Sequence, residues 1–236
     1  MNLLIEIGNT ALKAAWAEGI TLGKTFRYQG EKPLEFIYTL TEKEKPEKMV
    51  ISSVYDISAE DAAGLAAECH SLLLLDPSHK EVLRAHSLPD YLSYDRAASI
   101  IAAGYLFKGK GVTLVDFGTT LTIDFTDPSG SYKGGNISVG CRTRFKALNR
   151  YSRRLPLVNT PDEAPQTGTS IESSIEAGVI SGIIFEIGGY LGENPSDMVV
   201  FTGGDANYFA KRMKKSIFVV PNLVLMGLAL IAESDG

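Results

Sequence analysis

Two short stretches of the chain share one pattern of side chains that suits phosphate binding. In residues 4–10 and again in 114–120, an apolar run is followed by a carboxylate, an apolar residue, glycine, asparagine or threonine, and threonine. Glycine lets backbone amides approach an anion, while threonine and asparagine donate hydrogen bonds to phosphate oxygens. A carboxylate at the end of a strand can hold a hydrated cation. A single such turn would be an ordinary hairpin, and its duplication is what favours a nucleotide-phosphate site.

The position of the two copies predicts the organisation of the chain. One copy opens each half of the 236 residues, which indicates two like subdomains, 1–110 and 111–236, with a ligand cleft between them. Short apolar runs predict strands at 2–7, 11–17, 21–28, 49–54, 72–75, 112–116, 121–125 and 198–202. Capping residues and longer apolar patterns predict helices at 58–69, 97–107, 141–151, 170–191 and from Pro221. The predicted class is mixed α/β.

Composition narrows the class of protein. Hydrophobic residues at 44% and charged residues at 22% are typical of a globular chain, and a net charge of −5 argues against nucleic acid or an anionic membrane as partner. Two cysteines, Cys69 and Cys141, are too few for a disulfide scaffold. The N-terminus lacks signal-peptide character, and the apolar stretch 219–232 is too short to span a membrane. We therefore expect a cytoplasmic protein with neither a nucleic-acid nor a membrane partner.

Several motifs occur in a fixed order along nearly the whole chain. They are Glu6-Ile7-Gly8-Asn9-Thr10, Asp95-Arg96, Asp116-Phe117-Gly118-Thr119-Thr120, Gly134-Gly135-Asn136-Ile137 and Thr202-Gly203-Gly204. This ordered set resembles that of the type III pantothenate kinases. The resemblance implies an α/β fold of two ribonuclease-H-like (actin-like) subdomains, with mixed sheets flanked by helices and ATP in the cleft between them. It also implies ATP-dependent phosphorylation of the pantothenate hydroxyl, the first step of coenzyme A synthesis.

The resemblance also assigns roles to individual residues. Those assigned to ATP and its phosphates are Glu6, Ile7, Gly8, Asn9, Thr10, Ala11, Leu12, Lys13, Gly118, Thr119, Thr120 and Gly203. Those assigned to the substrate are His86, Ser93, Tyr94, Asp95, Arg96 and Ile171. Asp95 is implied as general base, and Asp116 as ligand of a monovalent cation, K⁺ or NH₄⁺. Mg²⁺ would accompany ATP, and a homodimer would place the active site near its interface.

The pair Asp95-Arg96 has two interpretations. A carboxylate can orient the acceptor hydroxyl and take its proton, and a neighbouring guanidinium can bind a substrate carboxylate with two hydrogen bonds. The alternative is an aspartate that caps a helix beside a surface arginine. The order of the other motifs favours the catalytic interpretation.

Five positions depart from the family pattern, and they concern mainly the substrate. They are Glu6, where the family has aspartate, and His86, Ser93, Val139 and Ile171. These departures leave two alternatives open: a divergent kinase of another small hydroxy-acid, or a non-catalytic accessory protein. The basic run from Arg142 to Arg154 is the best feature for the latter, since a basic helix could bind nucleic acid. A solvated helix face explains the same run.

Overall fold

The structure is a computed structural model that describes residues 1–77 and 80–234. Its elements, in chain order, are β1 (Asn2–Ile7), β2 (Leu12–Glu18), β3 (Thr21–Tyr28), α1 (Pro33–Thr41), β4 (Lys48–Ser53), α2 (Ala59–Ala67), β5 (Ser71–Leu75), α3 (Glu81–Ala85), α4 (Tyr94–Leu106), β6 (Val112–Phe117), β7 (Thr120–Thr126), β8 (Tyr132–Val139), α5 (Cys141–Tyr151), α6 (Ile171–Glu193), β9 (Met198–Gly203), α7 (Ala206–Ala210), β10 (Phe218–Val219) and α8 (Leu223–Ser234). Contacts group them into two units. The first is Met1–Leu106 with the segment from Asn222 onward, and the second is Phe107–Pro221.

The two units are built on the same sheet plan. In the first, the strand order is β3-β2-β1-β4-β5, with β1 antiparallel to β2 and parallel to β4. In the second, the order is β10-β9-β6-β7-β8, with β6 antiparallel to β7 and parallel to β9. The strand that ends in each copy of the repeated motif is therefore the central strand of its sheet. The mixed α/β class predicted from the sequence is confirmed.

The central strands are buried because their side chains are apolar on both faces. Leu3, Leu4 and Ile5 of β1 are fully buried. In the second unit, the ring of Phe117 at the end of β6 packs 4.9 Å from Phe201 and stacks 5.0 Å from Phe209, measured between ring centroids. A strand buried on both faces requires helices on both sides of the sheet, which is what the chain supplies between its strands.

Serine caps fix the starts of two predicted helices. The hydroxyl of Ser58 accepts the N–H of Asp61 at 3.1 Å before α2. The hydroxyl of Ser170 accepts the N–H of Ser173 at 3.1 Å, and Ser173 reciprocates by accepting the Ser170 N–H at 2.9 Å. This capping box satisfies two donors that the first turn of α6 leaves without helical partners.

Helix α6 is long and apolar enough to cross a membrane by length and composition. That is weak evidence, because the core helix of a soluble protein has the same character. Seven of its residues are buried in the second unit, among them Ile180, Ile183 and Ile187.

Helix α8 returns to the first unit and packs on α4 at very short range. A Cβ built at Gly227 of α8 would overlap the backbone of Ala98 of α4, including its carbonyl oxygen. Only glycine lets the two helices approach this closely. By contrast, a Cβ at Gly104, also on α4, would meet no atom within 4 Å.

Two glycine substitutions test this packing. We expect Gly227→Ala to lower the free energy of unfolding by about 1–3 kcal/mol or more, since α4 and α8 must separate. Gly104→Ala is the matched control and should be neutral or stabilising by up to about 1 kcal/mol, the difference in helix propensity. Urea denaturation followed by circular dichroism measures both. Equal stability of the two variants would contradict the close packing.

Candidate functional site

The first copy of the motif forms the hairpin that joins β1 to β2. The N–H of Gly8 donates to the carbonyl of Ala11 at 3.1 Å and closes the turn. Asn9 and Thr10 are exposed at its tip, while Ile7 and Leu12 on either side are buried and hold the turn on the sheet. The residues predicted to bind phosphate are thus presented at the end of the central strand.

Glu6 and Lys13 face each other across this hairpin. They are paired in the register of β1 and β2, and the ammonium of Lys13 lies 3.0 Å from Oε2 of Glu6. The Glu6 side chain is only 13% exposed. Burial raises the pKa of the Glu6 carboxyl above its ordinary value, Lys13 opposes that rise, and the charge of Asp95 adds to it. Glu6, Lys13 and Asp95 therefore belong to one electrostatic cluster.

Asp95 lies in the first turn of α4. The carbonyl of Ser93 accepts the N–H of Ala97 at 3.0 Å, so the helical bonds begin at Ser93. Oδ1 of Asp95 accepts the N–H of Arg96 at 2.9 Å, which orients the carboxylate at the start of the helix. Arg96 is only 7% exposed. The alternative of a capping aspartate beside a surface arginine is wrong, because the arginine is buried and the aspartate lies within the helical turn.

The other residues predicted to bind substrate in this unit lie on α3 and at the start of α4. Tyr94 is buried, and its pKa is raised to about 12, first by burial and then by the carboxylates of Glu81, Asp76 and Asp90. His86 is half-buried at the end of α3, and burial lowers its pKa. At neutral pH, Tyr94 therefore keeps its proton, and the imidazole of His86 is mainly neutral.

The second copy of the motif forms the turn between β6 and β7. The N–H of Gly118 donates to the carbonyl of Thr120 at 3.0 Å. The carbonyl of Thr119 accepts two hydrogen bonds from the start of α5: one from the N–H of Gly140 at 3.1 Å and one from the hydroxyl of Thr143 at 2.9 Å. This turn, like the first, is exposed at the end of a central strand.

Asp116 lies directly beside β9. It is half-buried and is paired in register with Thr122 on one side and Thr202 on the other. Gly203 has a φ of +90°, and a Cβ there would overlap a carboxylate oxygen of Asp116. The N–H of the next residue, Gly204, donates to the carbonyl of Phe117 at 2.9 Å. Glycine at 203 is thus required both by the backbone conformation and by contact with the acid.

The two residues paired with Asp116 in the sheet, Thr122 and Thr202, both carry hydroxyl oxygens. Carboxylate and hydroxyl oxygens suit hard cations, so the chemistry of Asp116 and its threonine neighbours fits K⁺ or Mg²⁺ better than a soft metal. In residues 1–77 and 80–234, no group of three or more histidine, cysteine, aspartate or glutamate side chains could hold a metal ion.

A cavity of about 800 Å³ borders Gly204 within the second unit. It is lined by Asp162, Glu163, Ala164, Gly204, Asn207, Tyr208, Lys211 and Arg212. The guanidinium of Arg212 stacks 3.5 Å from the centre of the Tyr208 ring and donates to the carbonyl of Asp162. No motif in the sequence predicts this cavity. The only local signal was the spacing of four residues between Tyr208 and Arg212, which many helical pairs share.

The remaining residues at which the chain departs from the family are exposed. Ile171, the first residue of α6, is 55% exposed, and Val139, the last residue of β8, is 44% exposed. Arg144, from the basic run on α5, donates to the carbonyl of Val139 at 2.8 Å and forms an ion pair with Glu186 of α6. This member of the run joins elements of the fold, whereas Arg142, Lys146 and Arg150 are exposed.

Solved structures with the same fold include members of the actin and hexokinase class. A ROK hexokinase from Thermus thermophilus matches with a TM-score of 0.54 at 12% identity, over 97% of this chain and 97% of that one. At this identity the match shows the fold alone. It confirms the actin-like fold that the family resemblance implied.

Sequence comparison gives the family. The family model of type III pantothenate kinase matches residues 2–193. A type III pantothenate kinase from Phocaeicola vulgatus is 38% identical over 235 residues, and one from Bacteroides fragilis is 37% identical over 234 residues. Each alignment covers 97% of this chain and 96% of the relative. The chain belongs to the type III pantothenate kinase family, as the ordered motifs predicted.

The buried carboxyl of Glu6 should give the stability of the protein a measurable pH dependence. When the pKa of an acid is higher in the folded than in the unfolded chain, the free energy of unfolding falls as the pH rises above the ordinary pKa, here 4.5. Glu6→Gln removes this titration. The free energy of unfolding of the variant, relative to wild type, should therefore increase from pH 4.5 until the raised pKa is passed. Urea titrations between pH 4.5 and neutrality measure the difference in the free energy of unfolding. A difference that stays constant over this range would contradict a raised pKa of the Glu6 carboxyl.

Proposed function

We propose that the protein transfers the terminal phosphoryl group of ATP to the hydroxyl of pantothenate, with Asp95 as general base. Membership of a kinase family supports ATP and pantothenate as substrates. The observation that carries the catalytic assignment is the placement of Asp95: it is oriented by the Arg96 amide, and its charge acts on the buried Glu6. A protein catalyses phosphoryl transfer mainly by positioning the reacting groups and by stabilising the charge on the phosphates.

The two turns are assigned to the phosphates of ATP. The first turn exposes Asn9 and Thr10 and has the ammonium of Lys13 nearby, and the second turn exposes Gly118 to Thr120 with two threonine hydroxyls. The cavity beside Gly204 has the size and the planar Tyr208–Arg212 wall that a nucleoside base would use. A divalent cation accompanies ATP in kinases, and Mg²⁺ on the phosphates would neutralise the charge that develops during transfer.

Asp116 is the proposed ligand of a monovalent cation, K⁺ or NH₄⁺. Its carboxylate is half-buried between the hydroxyl-bearing Thr122 and Thr202, and Gly203 leaves no room for a side chain beside it. A cation at this carboxylate would place fixed positive charge at the Gly118–Thr120 turn, where it would favour the binding of phosphate oxygens.

The acceptor hydroxyl is assigned to Asp95, and the carboxylate of pantothenate to Arg96. Oδ1 of Asp95 is engaged by the Arg96 N–H, so Oδ2 is the oxygen proposed to orient the hydroxyl and to take its proton. A guanidinium can bind a carboxylate through two parallel hydrogen bonds. His86, Ser93 and Tyr94 lie along the segment that leads into Asp95 and are proposed to complete the substrate side.

Replacing the proposed base tests the function. Wild-type protein should consume ATP only when pantothenate is present, and Asp95→Asn should lower kcat by about 10²- to 10⁴-fold, the usual contribution of a general base. Glu60→Gln, at the exposed start of α2, makes the same carboxylate-to-amide change and should leave kcat unaltered. A coupled assay of ADP release, run with pantothenate and with other small hydroxy-acids, also tests the divergent-kinase alternative. A kcat of Asp95→Asn within a few-fold of wild type would remove Asp95 from this role.

We further propose a homodimer formed through α6. Gly178 is exposed on α6, and Ile171 and Phe185 are exposed to 55% and 74%. Gly182, one turn further on, is half-buried next to Arg144. Small residues allow close approach of helices, and exposed apolar residues gain from burial against a second copy. The interface would include Ile171, the residue that corresponds to a substrate-contacting position of the family, which would place the active site near it.

A charge placed on this face should separate the subunits. We expect wild type to sediment as a dimer at micromolar concentration and Phe185→Glu as a monomer, since an ionised carboxylate cannot be buried in an apolar contact. Tyr105→Glu, at a 55% exposed aromatic residue of α4, is the matched control and should remain dimeric. A wild-type monomer with full activity would contradict the proposal.

A soluble, cytoplasmic enzyme is the corresponding proposal for location. It is supported by a substrate and a nucleotide that are both water-soluble, and by the burial of much of α6 in the second unit. No nucleic-acid or membrane partner is proposed.

A further inference from the structure

The peptide between Thr119 and Thr120 is held in one orientation by the start of α5. Its carbonyl oxygen accepts the N–H of Gly140 at 3.1 Å and the hydroxyl of Thr143 at 2.9 Å. A Cβ at Gly140 would overlap the carbonyl oxygens of Gly118 and Thr119, so this turn and the start of the helix are in direct backbone contact. The carbonyl therefore points at α5.

The amide of Thr120 must then point the other way. In a trans peptide the C=O and the following N–H are directed oppositely, so the Thr120 N–H faces away from the start of α5. Thr120 is paired with Val139 of β8. The hydrogen bond next to this pair runs from the N–H of Gly140 to the carbonyl of Thr119, and in an antiparallel ladder this means that Thr120 and Val139 do not bond to each other. The ladder between β7 and β8 thus does not use the Thr120 amide. This donor lies on the same side of the strand as the Thr120 carbonyl, which accepts the Gly118 N–H, and so it faces the inside of the exposed 118–120 turn.

Helix α5 is itself fixed to the rest of the second unit. Phe145 is buried in the core. The guanidinium of Arg144 donates to Ser138 Oγ at 3.1 Å and to the carbonyl of Val139 at 2.8 Å, and it pairs with Glu186 of α6. The hydroxyl of Thr143, one residue before Arg144, is therefore attached to a rigid helix and can hold the Thr119 carbonyl in place.

We propose that Thr143 is a positioning residue for nucleotide binding: its hydroxyl fixes the 119–120 peptide so that the Thr120 amide is directed at a phosphate oxygen. The inference rests on the proposed function only in requiring that this turn binds the phosphates of a nucleotide. Thr143 does not touch the nucleotide in this role. Its effect passes through the carbonyl that it holds.

Loss of the hydroxyl should weaken nucleotide binding selectively. Thr143→Val keeps the branched shape, and we expect it to raise the ATP KM and the Kd for ATP by about two- to tenfold, the factor for one lost hydrogen bond. The KM for pantothenate and kcat at saturating ATP should stay at wild-type values. Thr143→Ser restores the hydroxyl and should restore ATP affinity. This rescue separates positioning from a change of shape.

A matched control removes an equivalent bond elsewhere. The hydroxyl of Thr39 in α1 donates to the carbonyl of Phe36 at 2.7 Å, on an exposed helix of the first unit. Thr39→Val should leave the ATP KM unchanged. Melting temperatures measured in parallel should show Thr143→Val folded to the same extent as the control.

Direct titration of ATP with Mg²⁺ by calorimetry distinguishes failure of this inference from failure of the proposed function. If wild type binds ATP but does not phosphorylate pantothenate, the substrate assignment fails and the Thr143 test still proceeds on the Kd. An unchanged Kd for Thr143→Val, or a Kd that Thr143→Ser does not restore, would overturn the positioning role. If wild type binds no ATP, both proposals are overturned.

Discussion

The central strand of each sheet imposes the constraint on which the rest of the structure depends. β1 and β6 have an antiparallel neighbour on one side and a parallel neighbour on the other, and their side chains are buried on both faces. A polar residue inside such a strand needs a buried partner, as Thr113 of β6 has in Ser196, whose Oγ accepts its hydroxyl at 2.9 Å. The acids Glu6 and Asp116 are the penultimate residues of their strands, beside an exposed turn. The acids and the phosphate-type turns that follow are therefore placed by the same rule in both units.

Close backbone contacts convert those strand ends into defined shapes. Gly203 of β9 lies against Asp116, and Gly140 before α5 lies against the Gly118–Thr119 carbonyls. Neither contact is local in sequence. Each depends on a strand or helix formed many residues later, so the geometry of the turn is a property of the folded unit rather than of the motif itself. The first hairpin is simpler, since Gly8 and Ala11 close it within four residues.

The same distinction explains what the sequence could predict. The buried strands, helix α5 and the serine caps of α2 and α6 follow from local patterns, and the ordered motifs were specific enough to indicate the family. Strand β8 was not predicted, because its glycines at 134 and 135 and its partly exposed faces give no alternation of apolar and polar residues. Pro221 was expected to open the last helix, but α8 begins at Leu223, after Asn222 with a φ of +56°. The cavity beside Gly204 depends on Asp162 and Tyr208 meeting across 46 residues, and no local pattern encodes that.

Three basic residues, Lys13, Arg96 and Arg144, have different roles in the structure. Lys13 compensates the buried charge of Glu6, and Arg144 joins β8, α5 and α6 through Glu186 and backbone carbonyls. Arg96 is buried beside Asp95, where its amide orients the carboxylate. Burial of a charge is costly unless partners compensate it. For Lys13 that partner is the carboxylate of Glu6, and for Arg144 the partners are Glu186 and the carbonyl of Val139. In the first hairpin, the carboxylate of Glu6 reaches across to the ammonium of Lys13 on the neighbouring strand, so the acid and the cation that compensates it belong to one pair of strands.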